Sequence, residues 1–86
     1  MTLSSRAKKD LRKLNNEITD KILFKLELLV DGATTLDTKK IKGKREHTYR
    51  LRVGEYRAVY EVRDKEIVVL VIRVGHRKEI YKKLNG

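Results

Sequence analysis

Three arginines flank a predicted tight turn, and they are the residues best suited to chemistry on a phosphate. Arg50 and Arg52 alternate with apolar residues before Gly54-Glu55, and Arg57 follows that dipeptide. Alternation with a period of two is typical of a half-buried strand, so we predict two strands joined by a type I′ or II′ turn. In that register Arg52 lies opposite Arg57, and all three arginines share one face of the hairpin.

This arrangement predicts either an anion site or an ordinary basic surface. Like charges directly opposite one another destabilise an antiparallel pair. A bound anion would offset the repulsion, and planar guanidinium groups can bind phosphate bidentately. A solvated strand face without a ligand fits the same pattern, and the arginines alone do not decide between the two.

The net charge favours a polyanionic partner. The 86 residues carry a formal net charge of +10 at pH 7, and residues 39–57 alone contribute +6. A basic field focused in this way attracts nucleic acid or an acidic protein, and charge does not separate those two classes.

Composition excludes several classes of protein and site. The chain has no cysteine, which rules out a disulfide scaffold, a thiolate metal site and a cysteine nucleophile. No apolar run approaches the roughly 18 residues of a membrane span, and nothing resembles a signal peptide, so a cytoplasmic protein is expected. No metal-ligand spacing, P-loop, dinucleotide-binding glycine pattern or Ser-His-Asp arrangement is present, so neither a metal nor a small-molecule cofactor is expected. We expect residues 1–86 to form a single domain.

Two helices are predicted ahead of the hairpin. The first begins after Ser4 or Ser5 as its N-cap, and the second covers residues 17–31. Phe24 and Leu28 fall outside the apolar stripe of the second helix. We expect them to pack against the first helix, with a partner-binding surface as the alternative.

A central strand is predicted after the hairpin. Residues 33–38 are interpreted as a polar loop and residues 39–47 as a basic loop leading into the first arginine strand. Residues 67–72 are apolar at both parities, which indicates a strand covered on both faces. An antiparallel turn at Asp64-Lys65 would place Val59 near Leu70 and Arg57 near Ile72. The C-terminal segment or a bound partner must then cover the apolar part of the arginine face.

Arginines, a histidine and tyrosines suit the metal-free cleavage of RNA. In this reaction the ribose 2′-hydroxyl attacks the adjacent phosphate, arginines stabilise the developing charge, and His or Tyr transfers protons. Arginine itself is a poor general base. His76, at the end of the central strand, is the candidate for proton transfer, although an isolated histidine is more often structural.

The segments RLRVGEYRAVYEV and IRVGHRKEIY resemble the RelE family of the RelE/ParE toxin superfamily, and RAKKDLRKL and KIKG precede them in the family's order. The resemblance implies an α+β fold in which two N-terminal helices pack on a small twisted, mainly antiparallel sheet, with a short C-terminal helix. It also implies the toxin of a type II toxin–antitoxin system, an mRNA interferase that cuts messenger RNA in the ribosomal A site and is neutralised by a RelB-like antitoxin. Family members begin with a longer strand than residues 1–4 allow, so we expect that strand to be shortened or absent.

The resemblance matches five residues of this chain to site positions of the family. Arg57 and Arg77 match phosphate-binding arginines, and Tyr81 matches a tyrosine that stacks on or orients the substrate base. Arg50 and Arg52 match two basic positions that are often lysine, and a lysine there has been a candidate base. Arginine at both positions shifts proton transfer towards His76. The lysines expected to anchor RNA are Lys8, Lys9, Lys39, Lys40, Lys42, Lys44, Lys82 and Lys83.

Two other functions fit the same fold. One is a ParE-like inhibitor of DNA gyrase, and the other is a catalytically inactive member that only binds its antitoxin. The VGHR segment followed by Tyr81 favours the nuclease.

Overall fold

The computed structural model describes residues 1–43, 47–63 and 68–85, which contain one five-stranded sheet and three helices. The strand order is β1-β5-β4-β3-β2, with β1 parallel to β5 and the other neighbours antiparallel. The elements are β1 (Thr2–Leu3), α1 (Ser5–Arg12), α2 (Asn16–Val30), β2 (Thr38–Lys40), β3 (Thr48–Val53), β4 (Tyr56–Arg63), β5 (Val68–His76) and α3 (Ile80–Asn85). The predicted α+β fold is confirmed, and the first strand is present as two residues.

Both long helices begin at side-chain caps. The hydroxyl of Ser4 accepts a hydrogen bond from the Ala7 N–H at 3.0 Å, and the side-chain oxygen of Asn15 accepts one from the Ile18 N–H at 2.9 Å. Each cap satisfies a backbone donor that has no partner within its helix. The asparagine expected to break the first helix therefore also starts the second.

The packing predicted for Phe24 is wrong. Its side chain is 59% exposed, whereas Ile22 and Leu26 on the same helix are fully buried. The helix α1 packs mainly on β5 and α2 packs on β3, so α2 directs its buried stripe to the sheet and leaves Phe24 on the outside. Leu28 is half-buried.

The register predicted for the arginine hairpin is confirmed. Arg52 pairs with Arg57, Leu51 pairs with Ala58, and the turn begins at Gly54, whose φ is +57°. Glycine adopts a positive φ without steric cost, which explains its place at the start of this turn.

The register predicted between β4 and β5 is wrong. Arg57 lies opposite Gly75, and Val59 lies opposite Arg73, instead of Ile72 and Leu70. Four residues separate the paired Arg63 and Val68, where a two-residue turn was expected, and an irregularity between Val59 and Tyr60 shifts the register once more. The predicted Asp64-Lys65 turn itself lies outside the described residues. The position facing Arg57 is therefore a glycine and not an apolar side chain.

A second difference from the prediction concerns the basic loop. Its first residues, Lys39 and Lys40, belong to the edge strand β2. Lys39 pairs with Arg50, and Lys40 pairs with Tyr49. The Arg52 N–H also donates to the Asp37 carbonyl at 2.9 Å. Backbone pairing with β3 therefore overrides the weak strand propensity of two lysines.

The two faces of the sheet are covered differently. On the helix face, Leu51, Ala58 and Val71 belong to the core shared with α1 and α2. On the arginine face, Val59 is fully buried, and α3, which contains the fully buried Ile80, packs on β5. Of the two covers predicted for the apolar part of this face, the structure shows the C-terminal segment.

Candidate functional site

The candidate site is built on the arginine face at the end of the β3–β4 hairpin. Its first group is Arg57, whose Nη1 donates to the carbonyls of Gly54 at 3.0 Å and Tyr56 at 2.9 Å. These bonds fold the guanidinium over the turn. Its other donors stay available, because a guanidinium has five N–H groups.

Arg57 lies in a positive electrostatic environment. Partial burial lowers the pKa of Arg57, and the positive charges of Arg52, Arg50 and Arg77 lower it further, while Tyr81 acts in the opposite direction. Both causes of lowering mean that the surroundings disfavour the cation. Four guanidinium groups and the Tyr81 phenol therefore form one electrostatically coupled cluster, which we call the arginine cluster.

Arg77 joins the cluster from the end of β5. Its backbone N–H donates to the Glu55 carbonyl at 2.8 Å, and its Nε lies 2.7 Å from Oε2 of Glu55. The chain after β5 is thereby attached to the hairpin turn by a main-chain bond and an ion pair. This attachment brings Arg77 to Arg57 across 20 residues of sequence.

A second carboxylate borders the cluster on the other side. Asp37 lies 3.5 Å from Nη1 of Arg50 and 3.8 Å from Nη1 of Arg52. These exposed contacts are long and weak, so they offset the repulsion within the cluster only partly.

A groove of about 500 Å³ lies beside the cluster, between β2 and α3. Tyr81, 49% exposed, stands in its wall. The lining residues are Lys39, Lys40, Ile41, Lys42, Arg50, Tyr81 and Leu84. A basic groove with one accessible aromatic ring suits a single nucleic-acid strand, whose backbone is anionic and whose bases stack on aromatic faces.

The predicted RNA-anchoring lysines divide between the two sides of the molecule. Those at positions 39, 40 and 42 line the groove, and Lys82 is exposed on α3. Lys8 and Lys9 are exposed on α1, which covers the helix face, so the structure does not bring them to the cluster. Lys44 and the side chain of Lys83 lie outside the described residues.

His76 lies on the other side of the sheet from the arginine cluster. It pairs with Tyr56 across β4 and β5, and the two rings form an edge contact with centroids 5.6 Å apart. Its Nδ1 accepts a hydrogen bond from the Lys78 N–H at 3.2 Å. Tyr56 packs against the core of the helix face, whereas Arg57 points the opposite way. The structure therefore gives His76 local hydrogen-bonded and aromatic partners and does not place it among the phosphate-binding candidates.

Sequence reasoning missed both carboxylates that border the cluster. Glu55 was interpreted only as a turn residue, and Asp37 only as part of a polar loop. A signal was present for the first, since Glu55 lies next to the arginine-bearing strand and is one of only two acids in residues 39–57. For Asp37 there was none, because its position depends on the unpredicted pairing of β2.

The described ranges 1–43, 47–63 and 68–85 contain neither a cluster of metal ligands nor a membrane-spanning helix. Within them, no three His, Asp or Glu side chains are grouped as metal ligands would be. None of the helices in those ranges is long and apolar enough to cross a bilayer.

Comparison with known proteins gives consistent matches over nearly the whole chain. The family model for the ParE toxin of type II toxin–antitoxin systems matches residues 1–81. The mRNA interferase toxin RelE of Escherichia coli K12 is 32% identical over 84 residues, covering 94% of this chain and 87% of that protein. The RelB–RelE antitoxin–toxin complex of Methanococcus jannaschii contains a chain 34% identical to this one, with a TM-score of 0.76 and coverage of 96% and 98%. The isolated E. coli RelE toxin gives 29% identity and a TM-score of 0.71, covering 98% of this chain and 92% of that one. This chain therefore belongs to the family of the ParE toxin of type II toxin–antitoxin systems and is a RelE family toxin.

Proposed function

We propose that this chain is a toxin that cleaves messenger RNA on the ribosome as a metal-independent endonuclease. The observation that carries the proposal is the arginine cluster, in which Arg57 is destabilised as a cation by burial and by its arginine neighbours. A phosphate placed among these groups would remove the repulsion. The E. coli relative is named an mRNA interferase, which supports RNA as the source of that phosphate.

The proposed reaction is attack of the ribose 2′-hydroxyl on the adjacent phosphorus. Arg57 and Arg77 bind the phosphate and stabilise the negative charge that grows on its oxygens, and Arg50 and Arg52 add to the field. Tyr81 holds the substrate strand by stacking on a base. Preorganised donors of this kind stabilise the transition state more than the ground state, which is the requirement for catalysis.

His76 is not part of this proposal. Its prediction as the proton-transfer group rested on the arginines that replace the family's lysines and on its position in the VGHR segment. The structure directs its ring towards Tyr56 on the helix face. A role in holding the end of β5 agrees better with those contacts.

The proposed partners are a RelB-like antitoxin and the ribosome with messenger RNA in the A site, in the cytoplasm, for residues 1–86 as a single toxin domain. The basic groove would suit an acidic antitoxin segment as well as RNA, and a disordered segment that folds on binding can cover a surface of this size. Solved relatives support the first partner, since the Methanococcus jannaschii chain was crystallised with RelB.

The test is cleavage of messenger RNA after induced expression, mapped by primer extension. Removing one such donor typically costs about 10²–10³-fold in rate. We therefore expect Arg57→Ala combined with Arg77→Ala to abolish translation-dependent cuts. The matched control is Arg63→Ala, which removes an exposed arginine from the same strand, away from the groove. Cuts that persist in the double variant would refute the proposal.

The second candidate is inhibition of DNA gyrase, because the matched family model is named for the ParE toxin. A toxin that inhibits gyrase would have the same fold and the same basic surface but would not cleave RNA. Growth arrest by the wild type with intact messenger RNA would favour it.

A further inference from the structure

Cleavage by a 2′-hydroxyl needs a group that accepts the hydroxyl proton, and the proposed mechanism so far names none. Arginine cannot serve because it stays protonated in proteins. His76 is directed to the opposite face. Within the described residues, the carboxylates paired with arginines of the cluster are Glu55 and Asp37.

Glu55 has the better position of the two. Its Oε2 lies 2.7 Å from Nε of Arg77, and its backbone lies in the turn over which Arg57 folds. Its carboxylate is thus paired with one of the two arginines proposed to bind the scissile phosphate, and its backbone belongs to the turn that holds the other. Asp37 instead bridges Arg50 and Arg52 at longer distances, towards the edge strand.

The ion pair does not exhaust either side chain. Glu55 is 59% exposed and Arg77 is 50% exposed at the side chain, so both are open to a substrate. Arg77 uses Nε for the carboxylate, and a guanidinium has four further N–H donors on its Nη atoms for a phosphate. One arginine can thus hold a carboxylate on Nε and a phosphate on its Nη atoms, so that the carboxylate lies next to the phosphate whose neighbouring 2′-hydroxyl it would deprotonate.

We propose that Glu55 is the proton acceptor in this chain, an inference that rests on the proposed ribonuclease function. Its carboxylate takes the proton of the 2′-hydroxyl as O2′ forms a bond to phosphorus and the bond from phosphorus to the 5′ oxygen breaks. The leaving 5′ oxygen takes a proton from solvent, and Glu55 returns its proton to solvent afterwards. The products are a 2′,3′-cyclic phosphate and a 5′-hydroxyl, with no redox change and no metal in the balance.

The experiment measures single-turnover cleavage of messenger RNA in programmed ribosomes by the purified full chain. Glu55→Gln keeps an oxygen for Arg77 but cannot take a proton, and general-base catalysis is typically worth about 10²–10⁴-fold. We expect the cleavage rate at saturating protein to fall at least about 100-fold, with binding to the ribosome unchanged. The control is Glu61→Gln, which alters another Arg-paired glutamate on β4 outside the cluster and should cleave at the wild-type rate.

A second variant separates proton transfer from the positioning of Arg77. Glu55→Ala leaves space beside Arg77, and added formate should restore part of its rate in proportion to the formate concentration. Formate should not raise the cleavage rate of the Arg57→Ala variant, because that variant lacks a phosphate-binding group but still has the carboxylate of Glu55.

Three outcomes would overturn the proposal. If the Glu55→Gln variant cleaves messenger RNA at the wild-type rate, Glu55 is not the proton acceptor, and the proposed nuclease function is unaffected. Faster cleavage would show that the carboxylate competes with phosphate for Arg77. A wild-type chain that cuts no RNA on ribosomes would refute the proposed function itself, and the base assignment with it.

Discussion

Two arginines on neighbouring strands of the sheet occupy opposite electrostatic environments. Arg73 on β5 donates from Nε and Nη2 to the two carboxylate oxygens of Asp10, at 3.0 and 3.2 Å, and the Val74 N–H donates to the same carboxylate at 2.9 Å. Arg57 on β4 donates to two backbone carbonyls and is surrounded by other cations. We call the first group the Asp10–Arg73 pair.

The difference shows how the same side chain is used for structure in one place and for binding in another. The Asp10 carboxylate is buried, and a buried charge is tolerated only when it is paired and hydrogen-bonded. Arg73 meets that requirement with a bidentate contact that joins α1 to β5. The hydrogen-bond partners of Arg57 among the described residues are backbone carbonyls, and burial and the neighbouring arginines lower its pKa; a bound anion would offset the charge of those neighbours. A binding site is therefore indicated by how an arginine is paired and not by how many arginines are present.

The difference between the two arginines is tested most directly by removing the carboxylate of the Asp10–Arg73 pair. Asp10→Ala leaves a partly buried guanidinium without its carboxylate, which typically costs about 3–5 kcal/mol in the free energy of unfolding. Urea denaturation would measure the loss. Glu17→Ala, which breaks the exposed ion pair with Lys21, should change it by less than about 0.5 kcal/mol.

A matched arginine variant sharpens the same point. Arg57→Met removes a repelled cation, and we expect it to leave the free energy of unfolding within about 0.5 kcal/mol of wild type. Equal destabilisation by Asp10→Ala and Arg57→Met would contradict the division into a structural and a binding arginine.

The lysines on the two sides of the sheet should also differ in how much they contribute to the salt dependence of ribosome binding. Each lysine that contacts a phosphate adds about one unit to the slope of log affinity against log salt concentration. We expect Lys39→Ala with Lys42→Ala to reduce the slope for ribosome binding by one to two units, roughly, since both line the groove. The control pair is Lys8→Ala with Lys9→Ala, which removes the same charge from α1 and should leave the slope nearly unchanged. A larger reduction in the control pair would place the RNA on the helix face.

Local patterns predicted the part of the site that depends on near neighbours in sequence. The alternation around Gly54 fixed the register of Arg52 opposite Arg57, because a two-residue turn leaves no freedom in pairing. The resemblance to the RelE family supplied the proposed roles of Arg77 and Tyr81, and the structure brings both to Arg57.

What sequence could not predict depends on long-range pairing. The irregularity after Val59 moves β5 along β4, so that Gly75 faces Arg57 and His76 faces Tyr56. A shift of one residue exchanges the two faces of a strand, and nothing in an apolar run such as residues 67–72 reports where the shift occurs. The edge strand β2 was missed for a related reason, since its residues pair through the backbone despite their charge.

A pH-dependent effect is expected on the helix face, where the Tyr60 side chain, with its polar hydroxyl, is buried. Burial raises its pKa, as does the neighbouring Tyr49, while a hydrogen bond with Thr38 acts the other way. A raised pKa in the folded state means that the unfolded chain loses the phenol proton first. The stability that this group contributes is therefore complete below its ordinary pKa of 10.0 and is lost as the pH rises through the folded value.

Tyr60→Phe should cost about 1 kcal/mol near neutral pH, where it removes the hydrogen bond. Urea denaturation of both proteins over a pH series would show the wild type losing this advantage above about pH 10, so that the two stability curves converge. Stability curves that stay parallel through that range would mean that Tyr60 loses its proton as easily in the folded protein as in the unfolded chain. The difference between the paired polar groups of the helix face and the repelling charges of the arginine face would then rest on the Asp10–Arg73 pair alone.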